Sequence, residues 1–206
     1  EIYPQVVSWR RHFHQHPELS FQETETAAFI STVLTEYEIE HETGIAKTGI
    51  VALIKGTNPG KRCVALRADM DALPILESNT LDFASENEGV MHACGHDFHS
   101  ANLLGVAVLL NQLKAHFEGT IKLIFQPSEE KIPSGAPAMI EAGVLENPKV
   151  DRLIGQHVSP ELSTGTFGFC KGQFMASADE IYLTVKGKGG HAAFPNTLVD
   201  PVLTAA

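Results

Sequence analysis

Between His92 and His99 the chain reads His-Ala-Cys-Gly-His-Asp-Phe-His, which puts three histidines, a cysteine and an aspartate into eight residues. A thiolate and an imidazole two positions apart can reach one cation, because a local turn brings alternate side chains to the same side. Gly95 between Cys94 and His96 removes the steric bar to such a turn. A His-rich surface loop is the alternative, and the window by itself does not choose between them. Further candidates stand in three other places: Asp69-Met70-Asp71, Glu129-Glu130 and His157. The adjacent carboxylates Glu129 and Glu130 suit a division of labour in which one binds a metal and its neighbour faces the water that the metal activates. A bound metal lowers the pKa of water from about 15.7 towards about 7, and a nearby carboxylate can then take the proton. That chemistry is hydrolytic and needs no nucleophilic side chain.

These residues work together only if the fold brings them to one place. Residues 1–14 read as an amphipathic helix stopped by His16-Pro17. Ser20 with Glu23 fits a capping box, followed by Ala27, Ile30, Val33, Leu34 and Tyr37 at helical spacing. Gly49 to Lys55 and Arg62 to Asp69 read as strands around an Asn58-Pro59-Gly60 turn. A helix is predicted over 100–117, a strand over Thr120 to Phe125, a short helix over Ala136 to Ala142 ended by Gly143, and a strand over Asp151 to Val158. Strand and helix in alternation predict an α/β layer with a largely parallel sheet. In such a sheet ligands sit beyond the carboxyl ends of the strands. Three predicted strands end there in Asp69-Met70-Asp71, in Gln126-Pro127-Ser128-Glu129-Glu130 and in Gln156-His157, and the Cys94/His96 loop opens at the same edge. Singly, each has an ordinary reading, as a solvated loop, a turn or a helix cap. Their joint placement favours a site.

Near Ser177 the character changes. Asp179 to Lys186 alternates as a half-exposed antiparallel strand would, a Gly187-Lys188-Gly189-Gly190-His191 loop follows, and Asp200-Pro201 opens a helix. The expected organisation is a metal-binding catalytic domain over residues 1–177 and the opening of a second domain over 178–206.

With 206 residues, 43% hydrophobic and 19% charged, the composition is that of a globular protein. A net charge of −10 argues against nucleic-acid or anionic-membrane partners. The longest apolar run, around Leu103 to Leu110, is too short to span a bilayer. Three cysteines leave one over in any disulfide scheme, so a reducing cytosol is the expected setting. Cys63 and Cys170 are expected to be small buried residues within strands. No signal peptide precedes Glu1, and the missing initiator Met suggests that the sequence starts inside a longer protein.

Five motifs in order carry a resemblance: Arg10 to Glu18, Leu66 to Pro74, Met91 to Asp97, Phe125 to Glu130 and Gly187 to His191. Through them the chain resembles the amidohydrolase branch of the aminoacylase/carboxypeptidase metallopeptidase family, which includes hippurate hydrolases, N-acyl-amino-acid amidohydrolases and auxin-conjugate hydrolases. The resemblance implies a three-layer αβα catalytic domain with a mixed, largely parallel sheet, joined to the start of an α+β, ferredoxin-like lid and dimerisation domain. It implies two divalent metal ions held by Cys94, His96, Glu130 and His157, with Cys94 bridging. Glu129 matches the general base, and Asp71 an aspartate supporting the ligands from behind. Asp69 has no assigned role. His191 matches a lid histidine that steadies the oxyanion, often in a partner's site. Thiolate and imidazole favour zinc or another late transition metal over magnesium, while the carboxylate leaves manganese open. A further metal-binding histidine of the family has no counterpart here, so this chain is expected to be an N-terminal portion.

The expected function is metal-dependent hydrolysis of an N-acyl amino acid or similar small amide, by a cytoplasmic enzyme that is a homodimer in its full-length form. The alternatives are a dipeptidase or carboxypeptidase of the same family, which the Cys94 motif disfavours, and a catalytically incomplete metal-binding fragment.

Overall fold

The computed structural model describes residues 1–177 and 179–206. Contacts divide them into two units, Glu1–Pro160 and Glu161–Ala206. The expected start of the second domain, Ala178, lies outside the described residues.

The first unit begins with α1 (Tyr3–Gln15), which buries Trp9, Phe13 and His14. It stops at His16, whose φ of −121° has left the helical region before Pro17, where proline's ring disfavours helix. The next helix, α2 (Thr24–Glu36), buries Ile30, Val33 and Leu34 at the predicted spacing. The capping box does not form, because Ser20 lies three residues ahead of the N-cap, Glu23. The Ser20 hydroxyl donates to Asp71 Oδ2 at 2.6 Å, and Glu23 accepts from the Phe21 N–H at 2.9 Å. The helix start is served by Glu18, whose carboxylate accepts from the Glu25 and Thr26 N–H groups at 3.1 and 2.8 Å.

Five strands form one sheet: β1 (Glu40–Ile45), β2 (Gly49–Lys55), β3 (Cys63–Asp69), β4 (Thr120–Gln126) and β5 (Arg152–Gly155), in the order β1-β2-β4-β3-β5. β4, β3 and β5 run parallel, as expected, while β2 pairs antiparallel with both β1 and β4. β1 escapes prediction because its residues are mostly polar and exposed; pairing with β2 makes it a strand. β5 is shorter than the predicted strand and leaves its ladder with β3 after Gly155.

Two further helices, α3 (His96–Gln112) and α4 (Gly135–Glu141), complete the layers. One face of the sheet, through Ile50, Ala52, Ala68, Leu123 and Phe125, packs with Phe13, Ile30, Leu34, Leu104 and Val108 of α1, α2 and α3. Leu104, Leu123 and Phe125 are fully buried, each worth roughly 2 kcal/mol of apolar burial. The other face sets Ala65 and Ile124 against Met139 of α4 and Val144. Lys122 of β4 points to that face, buried, and its Nζ donates to the carbonyls of Val144, Glu146 and Pro148 at 2.8, 2.6 and 2.9 Å. Burial holds its pKa below the usual lysine value.

α3 starts four residues earlier than predicted, so His96, Asp97 and His99 stand in its first turn and not in a loop. Gly95 makes this start possible by taking a left-handed φ of 86°. The helix ends at Gln112, before a 3-10 turn over Lys114–His116. Cys63 is buried, as expected.

In the second unit Asp200 caps α5 (Pro201–Ala205) by accepting the Val202 N–H at 2.8 Å, and Lys188 bridges Val199. The strand expected over Asp179–Lys186 does not form. A strand needs a partner for its backbone groups, and among the described residues none pairs here; Ile181, Tyr182 and Leu183 stand exposed. Cys170, expected buried in a strand, is exposed and outside any strand. No described helix is long and apolar enough to cross a membrane.

Candidate metal centre

Because β3, β4 and β5 are parallel, their carboxyl ends finish at one edge of the sheet, with Asp69 opposite Gln126 and Arg67 opposite Gly155. The segments after them carry Asp71, Glu129, Glu130 and His157 to that edge, and the start of α3 brings Cys94 and His96. Donor atoms of Cys94, His96 and His157 lie within 4.8 Å of one another, and so do those of His96, Glu129 and Glu130. His96 is common to both groups. The five residues come from three separate segments.

The hydrogen bonds orient the rings. His96 Nδ1 lies 2.9 Å from the Asp71 carbonyl oxygen, and His157 Nδ1 lies 2.8 Å from the Val158 carbonyl oxygen. A carbonyl can only accept, so both rings carry their proton on Nδ1 and present the Nε2 lone pair to the rim. His157 Nε2 is 3.3 Å from Cys94 Sγ. His96 Nε2 is 3.6 Å from Asp69 Oδ2 and 3.8 Å from Glu130 Oε1. Asp71 works from below: its Oδ2 accepts the Glu130 N–H at 3.0 Å and the Ser20 hydroxyl at 2.6 Å. Glu129 is exposed at the open side of the same group.

The electrostatics are those of a cation site. Burial, Glu130, Glu129 and Asp69 together push the Cys94 thiol up to about 12. Burial opposes charge on His96, but Asp71, Asp69 and Glu130 outweigh it and raise its pKa. Burial likewise opposes the charged form of Asp69, yet the His99 hydrogen bond, Arg67 and His96 hold its pKa well below the carboxylate range. Three buried polar atoms at the rim, Asp71 Oδ1, His96 Nε2 and Glu130 Oε1, have no hydrogen-bond partner among the described residues. Buried polar atoms are ordinarily paired. A thiol, two imidazoles and carboxylates gathered in this way fit divalent metal ions, whose charge favours the thiolate and the neutral rings.

Several supporting residues carry no role at the site in the sequence reading. Glu23, fully buried, accepts the Ser128 N–H at 2.8 Å and the Thr48 hydroxyl at 2.6 Å, fixing the residue before Glu129. Burial raises its pKa despite these bonds. Nothing in its local pattern signals this. His99 bonds Asp69 at 2.6 Å, and its spacing from His96 would reveal a shared helical face once the start of α3 is known. His14 lies between Asp97 at 2.8 Å and Glu77 at 3.1 Å. His92 is buried outside both metal groups, and burial pushes it down to about 4. His191 belongs to the second unit, where its Nδ1 accepts the Ala193 N–H at 3.1 Å.

The sequence profile of peptidase family M20/M25/M40 matches residues 65–206. The chain belongs to this family. Among its M20 relatives, an N-acetylcysteine deacetylase of Bacillus subtilis is 48% identical over 99% of this chain and 53% of its own length. An N-acyl-L-amino acid amidohydrolase of Geobacillus stearothermophilus is 46% identical over 100% of this chain and 55% of its own. The chain therefore spans about half the length of the curated relatives it matches. A crystal structure of the Bacillus subtilis YXEP protein, described as a dinuclear metal-binding peptidase of the M20 family, superposes with a TM-score of 0.78. It is 48% identical, and the match covers 83% of this chain and 47% of that one. The family and the α/β fold expected from the five motifs are thereby borne out.

Proposed function

We propose that this chain forms the metal-binding part of an amidohydrolase that splits N-acyl amino acids, or similar small amides, into an acid and an amine. The observation that carries the reading is the pair of donor groups sharing His96, with Glu129 the exposed carboxylate of the second. The names of the M20 relatives support the substrate class.

Cys94, His96, Glu130 and His157 would hold two divalent ions, zinc or manganese. Bound there, the ions supply a Lewis acid and a water of lowered pKa. Glu129 takes a proton from the attacking water as the C–O bond forms, and returns it to the amide nitrogen as the C–N bond breaks. Asp71 keeps Glu130 in place through the backbone N–H and holds His96 through its own carbonyl. From its motif, His191 is assigned the role of steadying the oxyanion, and a homodimer is the assembly proposed for the whole protein.

The test is Glu129→Gln in the protein that contains this chain. Zinc stoichiometry should be unchanged, while turnover of an N-acetyl amino acid falls by about 10²–10⁴-fold, the usual worth of a general base. Turnover near the wild-type rate would overturn the assignment.

A further inference from the structure

His99 stands among possible ligands: its donor atom lies within 4.8 Å of those of Asp69 and His96. Its ring also packs edge-on against His157, with centroids 4.6 Å apart. On proximity it would be a third imidazole for a metal. Its hydrogen bonds say otherwise.

The Val158 N–H donates to His99 Nε2 at 2.9 Å. A backbone N–H cannot accept, so this nitrogen must offer its lone pair and the ring proton sits on Nδ1. Nδ1 then donates to Asp69 Oδ1 at 2.6 Å. Asp69 is held in turn, because its Oδ2 accepts from Arg67 Nη1 at 2.6 Å, and Arg67 Nε donates to Gln126 Oε1 at 2.9 Å. A continuous chain of hydrogen bonds thus runs from the end of β4, through β3 and α3, to the residue after His157. Val158 also sits close over Gly95, where an added Cβ would stand only 2.5 Å from Val158 Cγ2.

The consequence falls on His157. Its Nδ1 bonds the Val158 carbonyl, so the amide that His99 holds and the carbonyl that orients His157 belong to one residue. β5 ends at Gly155, so residues 156–158 have left the ladder when they reach the rim. We propose that His99 is a positioning residue, excluded from the metal by its two hydrogen bonds, which fixes Val158 and through it aims His157 Nε2 at Cys94. This deepens the proposed metal centre and rests on it.

Long-range proton–nitrogen spectra of the histidine rings, recorded on this chain with and without zinc chloride, test it. The expected result is a neutral His99 ring protonated at Nδ1, whose Nε2 resonance stays put on zinc addition while those of His96 and His157 move. A zinc-induced shift of His99 Nε2, or a proton on that atom, overturns the proposal and leaves the metal centre standing. If no histidine ring responds to zinc, the metal centre fails and the proposal falls with it. A double-mutant cycle adds a readout that a merely structural role would not give. His99→Phe should weaken zinc binding about tenfold to a hundredfold, the usual loss on removing a group that orients a ligand. In a His157→Ala background the same change should have no further effect. An undiminished effect there overturns the proposal.

Discussion

His96 and His157 present the same Nε2 lone pair to the same rim, yet they are held in opposite ways. His96 is buried in the first turn of α3, on ground tied down by Asp71, Ser20 and the Glu130 N–H. His157 is exposed on a segment that has left the sheet, steadied by Val158 and, beyond it, His99. The rim thus has an anchored half and a suspended half. The anchored half contains the residue common to both donor groups, so rigidity is concentrated where one displaced atom would damage both.

The comparison breaks most sharply by removing each ring in turn. His96→Ala should abolish zinc binding at both groups, whereas His157→Ala should leave His96 and Glu130 to hold zinc. Zinc per chain after gel filtration measures this, and equal losses in the two variants would refute the asymmetry. A smaller effect is expected behind the anchored half. Glu23→Ala leaves the N–H groups of Ser128 and Phe21 and the Thr48 hydroxyl without their acceptor. It should lower the unfolding free energy in urea by about 3 kcal/mol, since each stranded buried donor costs about 1–3 kcal/mol. A loss under about 1 kcal/mol would mean that the loop before Glu129 is not held through Glu23.

The smallest effect is a pH dependence that the anchored half should show. The Asp97 hydrogen bond, reinforced by Glu77, outweighs burial and raises the pKa of His14, while Asp97 itself is lowered. A raised folded-state value means that the stabilisation is complete below the ordinary histidine pKa of about 6.5 and fades as pH rises through the shifted value. Urea melts across that range should therefore show wild-type stability falling relative to His14→Gln with rising pH. Parallel curves would show that His14 is not charged in the fold. Zinc affinity at His157 should not follow this titration, because His99 and Val158 form no bond to His14.

The types and order of the candidate ligands were legible because each stands in a short motif, at a predicted strand end or, for Cys94 and His96, in a loop that opens at the same edge. Cys94, His96, Glu129, Glu130 and His157 need no tertiary information to be suspected. What holds them was not legible. Glu23 and Ser128 are 105 residues apart, and Ser20 with Glu23 offers a local capping pattern that the fold overrides with long-range partners. The part His99 plays is hidden, because the left-handed Gly95 that starts α3 early is a backbone state the sequence permits without announcing. β1 was missed for a related reason, since its polar residues become a strand only through β2. The predicted strand over Asp179–Lys186 failed in the converse way: its alternation is real, but alternation without a partner gives no ladder.

Lys122 has a consequence for the suspended half. Its ammonium sits among three carbonyl oxygens much as a cation sits in a crown ether, except that the guest is covalently part of β4. The ring of carbonyls belongs to residues 144–148, which lead directly into β5. The strand that ends in His157 is therefore moored at its upstream end to the centre of the sheet by an internal ion, like a gangway made fast at the ship and left free at the quay.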